Sequence, residues 1–435
     1  MSRPSSVGVR GTTCWIPPWR RAVYGLLTTV FVCAVLGTGL EIGARVHLGP
    51  RFAAGLLPTG RPVDAIAIHD PDYGWVNKPG VKTRVVAPLF HYVIRHNSYG
   101  QRGRERSLAK APGTKRVLLL GDSLAWGWGV DDEREFAALA ERALGPKVEF
   151  INLGVPGYST DQQLLRFENE VDNWNPDLVL LCFILNDVEG NSLDHNGTMA
   201  QRKPVFRPGA NGGWELRGQP VPPPNQTATA DGSERTMAPD EWLYAHSALL
   251  QSLYPPDAEA RLARAGAAQV LKRLAFPRTQ ADLTPEQKVV LETMNQGVRA
   301  LCDELVNPGA VTHHLLGRLA QQCRARAVPL IAFNIAHYHD QYLYTPGLPL
   351  PDGIEKHGEP DAAPYTTHLT RRLHEAGVEL GFGVFSVDQA MLTEILAGRG
   401  LNVGDGHLNE LGNRIIAERI VQELAPRLRE QSTPH

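Results

Sequence analysis

The sequence predicts an α/β protein built on a parallel sheet with helices on both faces. Three observations carry that expectation. Short, mainly apolar runs recur at Arg116–Leu120, Val148–Leu153, Asp177–Leu185 and Val328–Ile335, and predominantly apolar strands are buried on both sides. Stretches with helical spacing separate them, and strands alternating with helices at these lengths indicate a parallel sheet. The composition is that of a globular chain: 435 residues, 43% hydrophobic, 21% charged, formal net charge −2. It excludes collagen-like, coiled-coil and wholly disordered classes. The 44 basic and 46 acidic residues cancel, so nothing marks the chain for nucleic acid. Five cysteines in this length exclude a disulfide framework.

The first element is not part of that fold. From Ala22 to Leu40 no residue is charged, and at ~1.5 Å rise per residue such a run just spans a bilayer core. Arg3, Arg10, Arg20 and Arg21 precede it, against Arg45 and Arg51 beyond. That bias places residues 1–21 in the cytoplasm, an anchor at 22–40 in the inner (cytoplasmic) membrane, and the remainder outside it. A cleaved signal peptide is the rival reading, for which Thr38-Gly39-Leu40 makes a poor cleavage site. In that topology Cys302 and Cys323 face an oxidising compartment where they can pair, while Cys182, inside an apolar run, reads as an inert core residue.

Residues 41–110 form a tether and a small β-rich lead-in of two or three short strands, and the catalytic domain covers 111–435. After Arg116–Leu120 comes a helix at about 132–144, with Asp132 as its cap, Glu135 three residues later, and Phe136, Leu139, Ala140 and Ala143 on one face. Val148–Leu153 is the second strand. Ser159 and Gln162 form a capping box for a helix carrying Leu164, Phe167, Val171 and Trp174, and Asp177–Leu185 is the third strand. An amphipathic stretch at 311–326 precedes Val328–Ile335, and a last helix runs from about Asn409 to Leu424. Residues 189–310 break the rhythm and read as a cap insertion over the sheet's carboxyl edge. It opens with a hairpin at Lys203–Gly218 around Asn211-Gly212-Gly213, continues through a linker at Pro220–Asp240, and includes a helix starting at Thr284-Pro285.

Chemistry concentrates at the strand ends. Gly121-Asp122-Ser123 closes the first strand, where such folds place ligands. Gly154 ends the second, within Asn152-Leu153-Gly154-Val155-Pro156-Gly157. Asn186 ends the third, in Leu185-Asn186-Asp187, and His407 precedes the last helix in Gly404-Asp405-Gly406-His407-Leu408-Asn409. Acyl transfer needs a nucleophile, a base for its proton and donors aimed at the developing oxyanion. Ser123, His407, and the amides of Ser123 and Gly154 with the Asn186 side chain supply that set.

These four blocks resemble the GDSL/SGNH family of serine esterases and acyltransferases. The Gly-Asp-Ser start followed by Trp126-Gly127-Trp128-Gly129-Val130 is most like its membrane-anchored bacterial members. The resemblance implies a flavodoxin-like, three-layer α/β/α fold, with Ser123 as nucleophile, Gly154 and Asn186 in the oxyanion hole and His407 as general base. No cofactor and no metal are expected. The chain departs from the family twice. The family's Asp stands three residues before its His, where this chain has Gly404. Asp405 is two before, and in an extended segment residues two apart share a side, so Asp405 is the candidate to orient His407 or else caps a turn. The family's third block also carries Gly two residues before its Asn, where this chain has Ile184.

Other polar groups have plainer readings. Asp122 and Asp187 brace the loops they sit in, and His313-His314 opens a helix on the surface. His337-Tyr338-His339-Asp340 lacks a further ligand cluster for a metal and reads as polar loop. Trp126, Trp128, Tyr338, Tyr342 and Tyr344 are candidates for a carbohydrate-stacking wall, or else packing. The expected function is a membrane-anchored esterase outside the cytoplasmic membrane, removing or transferring an O-acyl group, such as acetyl, on an envelope carbohydrate. A non-catalytic polysaccharide-binding member of an export or assembly complex is the alternative. A lipid esterase at the membrane surface is a third reading, with no basic amphipathic face to recommend it.

Overall fold

The computed structural model describes residues 66–87, 90–196, 201–223, 296–335, 367–396, 399–403 and 407–430, together with Thr29, Leu36 and residues 38–40. The chain divides into two units, Met1–Leu57 with Met237–Pro255 and Pro58–Thr236 with Pro256–His435. Fold and site lie in the second. The anchor expected at 22–40 falls almost wholly outside the described residues, among which no helix is long and apolar enough to cross a membrane.

The lead-in is two antiparallel hairpins, β1 (Ala67–Asp70) with β2 (Gly74–Asn77) and β3 (Lys82–Ala87) with β4 (Phe90–Arg95). Four strands therefore stand where the sequence suggested two or three. The sheet proper follows as β5 (Lys115–Leu120), β6 (Val148–Asn152) and β7 (Leu178–Phe183). Next come the short pair β8 (His195–Asn196) and β9 (Gln201–Arg202), then the expected hairpin of β10 (Val205–Pro208) and β11 (Trp214–Arg217). Strands β12 (Leu330–Asn334) and β13 (Gly383–Ser386) complete the set. The five-stranded sheet has the order β6-β5-β7-β12-β13 with every pair parallel, the flavodoxin-type order with its crossovers diverging from β5.

Alternation along β5 builds the layers. Leu118 and Leu120 pack with α3 (Thr160–Trp174), α5 (Val311–Ala325) and α6 (His368–Leu380). Val117 and Leu119 pack with α2 (Phe136–Leu144), α7 (Asp388–Leu396) and α8 (Glu410–Glu430). Neighbouring residues of a strand point to opposite faces, so one buried strand serves two cores. The short helices α1 (Ser123–Trp126) and α4 (Leu185–Asn191) sit directly at the ends of β5 and β7.

Several sequence expectations move for identifiable reasons. Helix α2 starts at Phe136 rather than near 132, because Asp132 is occupied by Arg95 Nε and Arg102 Nε, each at 3.0 Å. Glu135 caps instead, accepting from the amides of Ala137 and Ala138. The third strand stops at Phe183, since Ile184 N–H donates to Asp187 Oδ2 at 2.8 Å and turns the chain into α4. Helix α8 continues beyond Leu424, passing Pro426, which near a helix end costs one backbone donor. His313 is buried against Glu379 Oε1 at 3.2 Å, and His314 stacks on Trp214, so neither is a simple surface residue. Cys302 and Cys323 are buried thiols in the core and form no disulfide; burial pushes the Cys323 thiol up to about 12.

Candidate active site

Strand β5 is buried to its last residue and delivers Gly121, Asp122 and Ser123 to the sheet's carboxyl edge. A side chain at Gly121 meets the Cβ of Cys182 at 3.1 Å, so only glycine lets β7 lie this close. Asp122 caps the short α1, its Oδ1 accepting from Leu124 N–H at 2.9 Å. Gly127, in the left-handed region, ends that helix one turn later. Ser123 is thereby held at the first position of a helix, where backbone N–H groups have no intrahelical acceptor.

The Ser123 hydroxyl lies 2.8 Å from His407 Nε2 and 3.3 Å from Asp122 Oδ2. The shorter contact is the one that carries a hydroxyl proton toward an imidazole acting as base. His407 comes from far along the chain, beside an antiparallel bridge between Asn402 and Leu408, and Val403 N–H donates to His407 O at 2.7 Å. Asn409 holds the next step, accepting from Leu411 and Gly412 amides at 2.9 and 3.1 Å to open α8. Asn186, in the first turn of α4, donates through Nδ2 to Asp122 Oδ2 at 3.3 Å. One carboxylate thus sits between the serine and the asparagine amide. The orienting candidate Asp405 lies outside the described residues, as do His337, Tyr338, His339, Asp340, Tyr342 and Tyr344.

Ile184 resolves the departure in the third block. Its backbone is extended, φ −136° and ψ 166°, a conformation open to any residue, so glycine is not required. Asp187 beneath it accepts from Gln163 Nε2 at 2.7 Å and from Ile184 N–H. Burial first, then the Asp122 charge, raises its carboxyl well above the ordinary range.

Gly154 is placed differently from the sequence expectation. Its amide donates to Asn152 Oδ1 at 2.9 Å, closing a small turn, and the residue is buried. A Cβ there meets Trp126 N at 2.6 Å, so this glycine allows the second loop to lie against α1. The accessible glycine is the next one. Val155-Pro156-Gly157-Tyr158 is a type II turn, with Tyr158 N–H donating to Val155 O at 3.1 Å and Gly157 at φ 80°. Gly157 N–H has no hydrogen-bond partner among the described residues. In residues 151–167, all of them described, Gly157 alone is not buried. The same holds for Ser123 and Trp128 within 116–130, and for Asn186 within 178–188. The sequence signal was the Pro-Gly pair itself, in which proline presets the first turn residue and glycine permits a left-handed second one.

The aromatic candidates separate. Trp126 is fully buried and cannot stack on a ligand. Its indole N–H donates to His96 Nε2 at 3.0 Å, and Arg102 lies 4.5 Å over its ring. Trp128 is partly exposed, its ring 5.5 Å from that of His407. Arg102, wholly buried, also donates to Trp126 O at 3.0 Å and to the carbonyls of Gly127 and Val130. Sequence reading missed His96 and Arg102, since each lies more than twenty residues from what it holds.

A serine hydroxyl thus meets an imidazole at the sheet's carboxyl edge, beside the Asn186 side chain. Residues 119–308 match the model of the GDSL-like Lipase/Acylhydrolase family. The family match includes Ser123, Gly154, Gly157 and Asn186 and ends ahead of His407, which reaches the site through the fold. No curated protein sequence matches the chain. Among solved structures it is similar to TesA, at 13% identity and TM-score 0.32 over 72% of this chain and 99% of that one. The lipase/acylhydrolase from Enterococcus faecalis gives 15% identity and TM-score 0.31, over 72% and 97%. The acetyl xylan esterase AlAXEase gives 13% and 0.31, over 71% and 99%.

Proposed function

We propose that the chain is a serine esterase that removes an O-acyl group, such as acetyl, from an envelope carbohydrate, or passes it to a sugar hydroxyl. The observation that carries the reading is the 2.8 Å contact between Ser123 Oγ and His407 Nε2 at the sheet's carboxyl edge. Ser123 Oγ adds to the acyl carbon as His407 Nε2 takes its proton, and His407 returns that proton to the leaving alkoxide. Negative charge grows on the acyl oxygen meanwhile. The Asn186 side chain and the Ser123 and Gly157 amides are the donors for it, with Gly157 replacing Gly154 in that role. Water or a second hydroxyl then attacks the acyl-serine. Asp405 orients the imidazole in this reading. The apolar run at 22–40 anchors the domain to the outer face of the cytoplasmic membrane, and Trp128 beside His407 forms a wall for the sugar.

Turnover of an aryl acetate by wild type and by Ser123→Ala tests the chemistry. Loss of at least about 10⁴-fold in the variant is expected, with covalent labelling of wild type by a fluorophosphonate at Ser123. Equal turnover by the two proteins sinks the esterase reading, and absence of labelling returns the polysaccharide-binding alternative.

A further inference from the structure

The lead-in lies outside the family match, yet it grips the loop that follows β6. Asn77 Nδ2 donates to Gly154 O at 2.9 Å, Trp75 Nε1 donates to Pro156 O at 2.9 Å, and Tyr158 OH donates to Trp75 O at 2.6 Å. All three side chains are buried, and the rings of Trp75 and Tyr158 meet edge to face at 5.6 Å. The bond from Trp75 has a particular consequence. The Pro156 carbonyl and the Gly157 N–H belong to one planar trans peptide and point in opposite directions. Type I and type II turns differ by a flip of that central plane, and Gly157, free to adopt either sign of φ, does not by itself choose between them. A donor fixed on the Pro156 carbonyl chooses.

We propose that Trp75 is a positioning residue of the active site: its indole N–H locks the Pro156–Gly157 peptide in the type II orientation, which turns the Gly157 N–H away from the lead-in and toward bound substrate. The catalytic part of the inference rests on the esterase reading; the locking of the turn does not. It makes the lead-in an integral part of the site. A catalytic domain cut free at about residue 111 lacks the group that sets one of its oxyanion donors.

The test uses the full-length chain and two variants. Trp75→Phe keeps a ring against Tyr158 and loses only the indole N–H. Tyr158→Phe breaks a bond at the same contact and leaves the Pro156 carbonyl held. Removing an oxyanion donor outright costs ~10²–10³ in kcat, and freeing one to flip costs part of that. Trp75→Phe is therefore expected to lower kcat on an aryl acetate by about 10- to 100-fold with KM within about twofold, and Tyr158→Phe to stay near wild type in both. A second readout is independent of activity. In protein with protonated proline and ¹⁵N-glycine, the strong nuclear Overhauser effect from Pro156 Hα to the Gly157 N–H that marks a type II plane weakens in Trp75→Phe. The proposal is overturned if that signal is unchanged, if kcat is unchanged in an active enzyme, or if Tyr158→Phe loses as much kcat as Trp75→Phe. If wild type turns over no ester while the signal weakens, the locking stands and the esterase reading falls.

Discussion

The two walls of the site are secured from very different distances along the chain. One wall, made of Ser123–Val130 and the loop Leu153–Ser159, is tied down by the lead-in. Trp75 and Asn77 reach it from 81 and 77 residues away, and Arg102 and His96 hold it from 25 and 30. The other wall, which presents Asn186 and His407, is braced by its own neighbours. Asp187 catches Ile184 three residues back, Val403 N–H donates to His407 O, and Asn409 caps the helix behind it. The difference teaches where fragility and chemistry separate. Substitutions on the locally braced wall change catalysis while leaving the fold alone, and those on the remotely held wall change stability and geometry together.

The largest effect is expected on the locally braced wall. His407→Ala removes the base and lowers kcat by about 10⁴-fold or more, with the unfolding midpoint in urea close to wild type because His407 is partly exposed. A large drop in stability contradicts the contrast. On the other wall, Arg102→Met removes the buried partner of Asp132, leaving that carboxylate to the half-exposed Arg95, and strands three carbonyls in the interior. Breaking a buried ion pair from one side costs about 3–5 kcal/mol, readable as a shift in urea denaturation. Arg102→Lys is expected to recover only part of it, since an ammonium cannot reproduce the planar fork. Asn186→Ala returns to the first pattern: about 10²- to 10³-fold in kcat for one oxyanion donor, with little change in stability. An unchanged kcat there removes Asn186 from the mechanism.

The same contrast explains how much was legible in the sequence. Parallel strands showed as mainly apolar runs, and the Ser, Asn and His positions showed because each is announced by its immediate neighbours. Asp132 was misread because its local context fits a helix cap, while two arginines from the lead-in claim it. Gly154 was named, and Gly157 not considered, for a similar reason. Both are glycines at a strand end, and only the bond from Asn152, with the buried position against Trp126, shows which amide is already used. Nothing local marks His96, Arg102, Trp75 or Asn77, whose partners are set by tertiary packing. The cysteine pairing failed because a shared compartment does not bring two buried core thiols together.

The remotely held wall also makes a pH-dependent prediction. Trp126 Nε1 can only donate, so His96 Nε2 accepts, and the ring proton resides on Nδ1, which donates to Lys78 O at 2.9 Å. Burial lowers His96 from 6.5 to about 4, opposed by the bond to Lys78 and assisted by the Arg102 charge. A folded pKa below the unfolded one means stability that is complete above pH 6.5 and lost as pH falls through 4. At ~1.36 kcal/mol per pKa unit this amounts to about 3 kcal/mol. Glu135, beside the same wall, runs the other way. Burial raises it to about 7, so its contribution is present below about pH 4.5 and lost as pH rises through 7. The two slopes oppose each other in wild type, and a single acid titration of stability conceals both. His96→Gln keeps an acceptor for Trp126 and does not titrate, so subtracting its stability curve from that of wild type isolates His96. The difference is expected to favour wild type above pH 6.5 and to shrink steadily toward pH 4. A difference that is flat with pH means that His96 is not held neutral by its burial. The remote grip on Trp126 would then be insensitive to acid, and the two walls would differ in sequence distance but not in their response to protons.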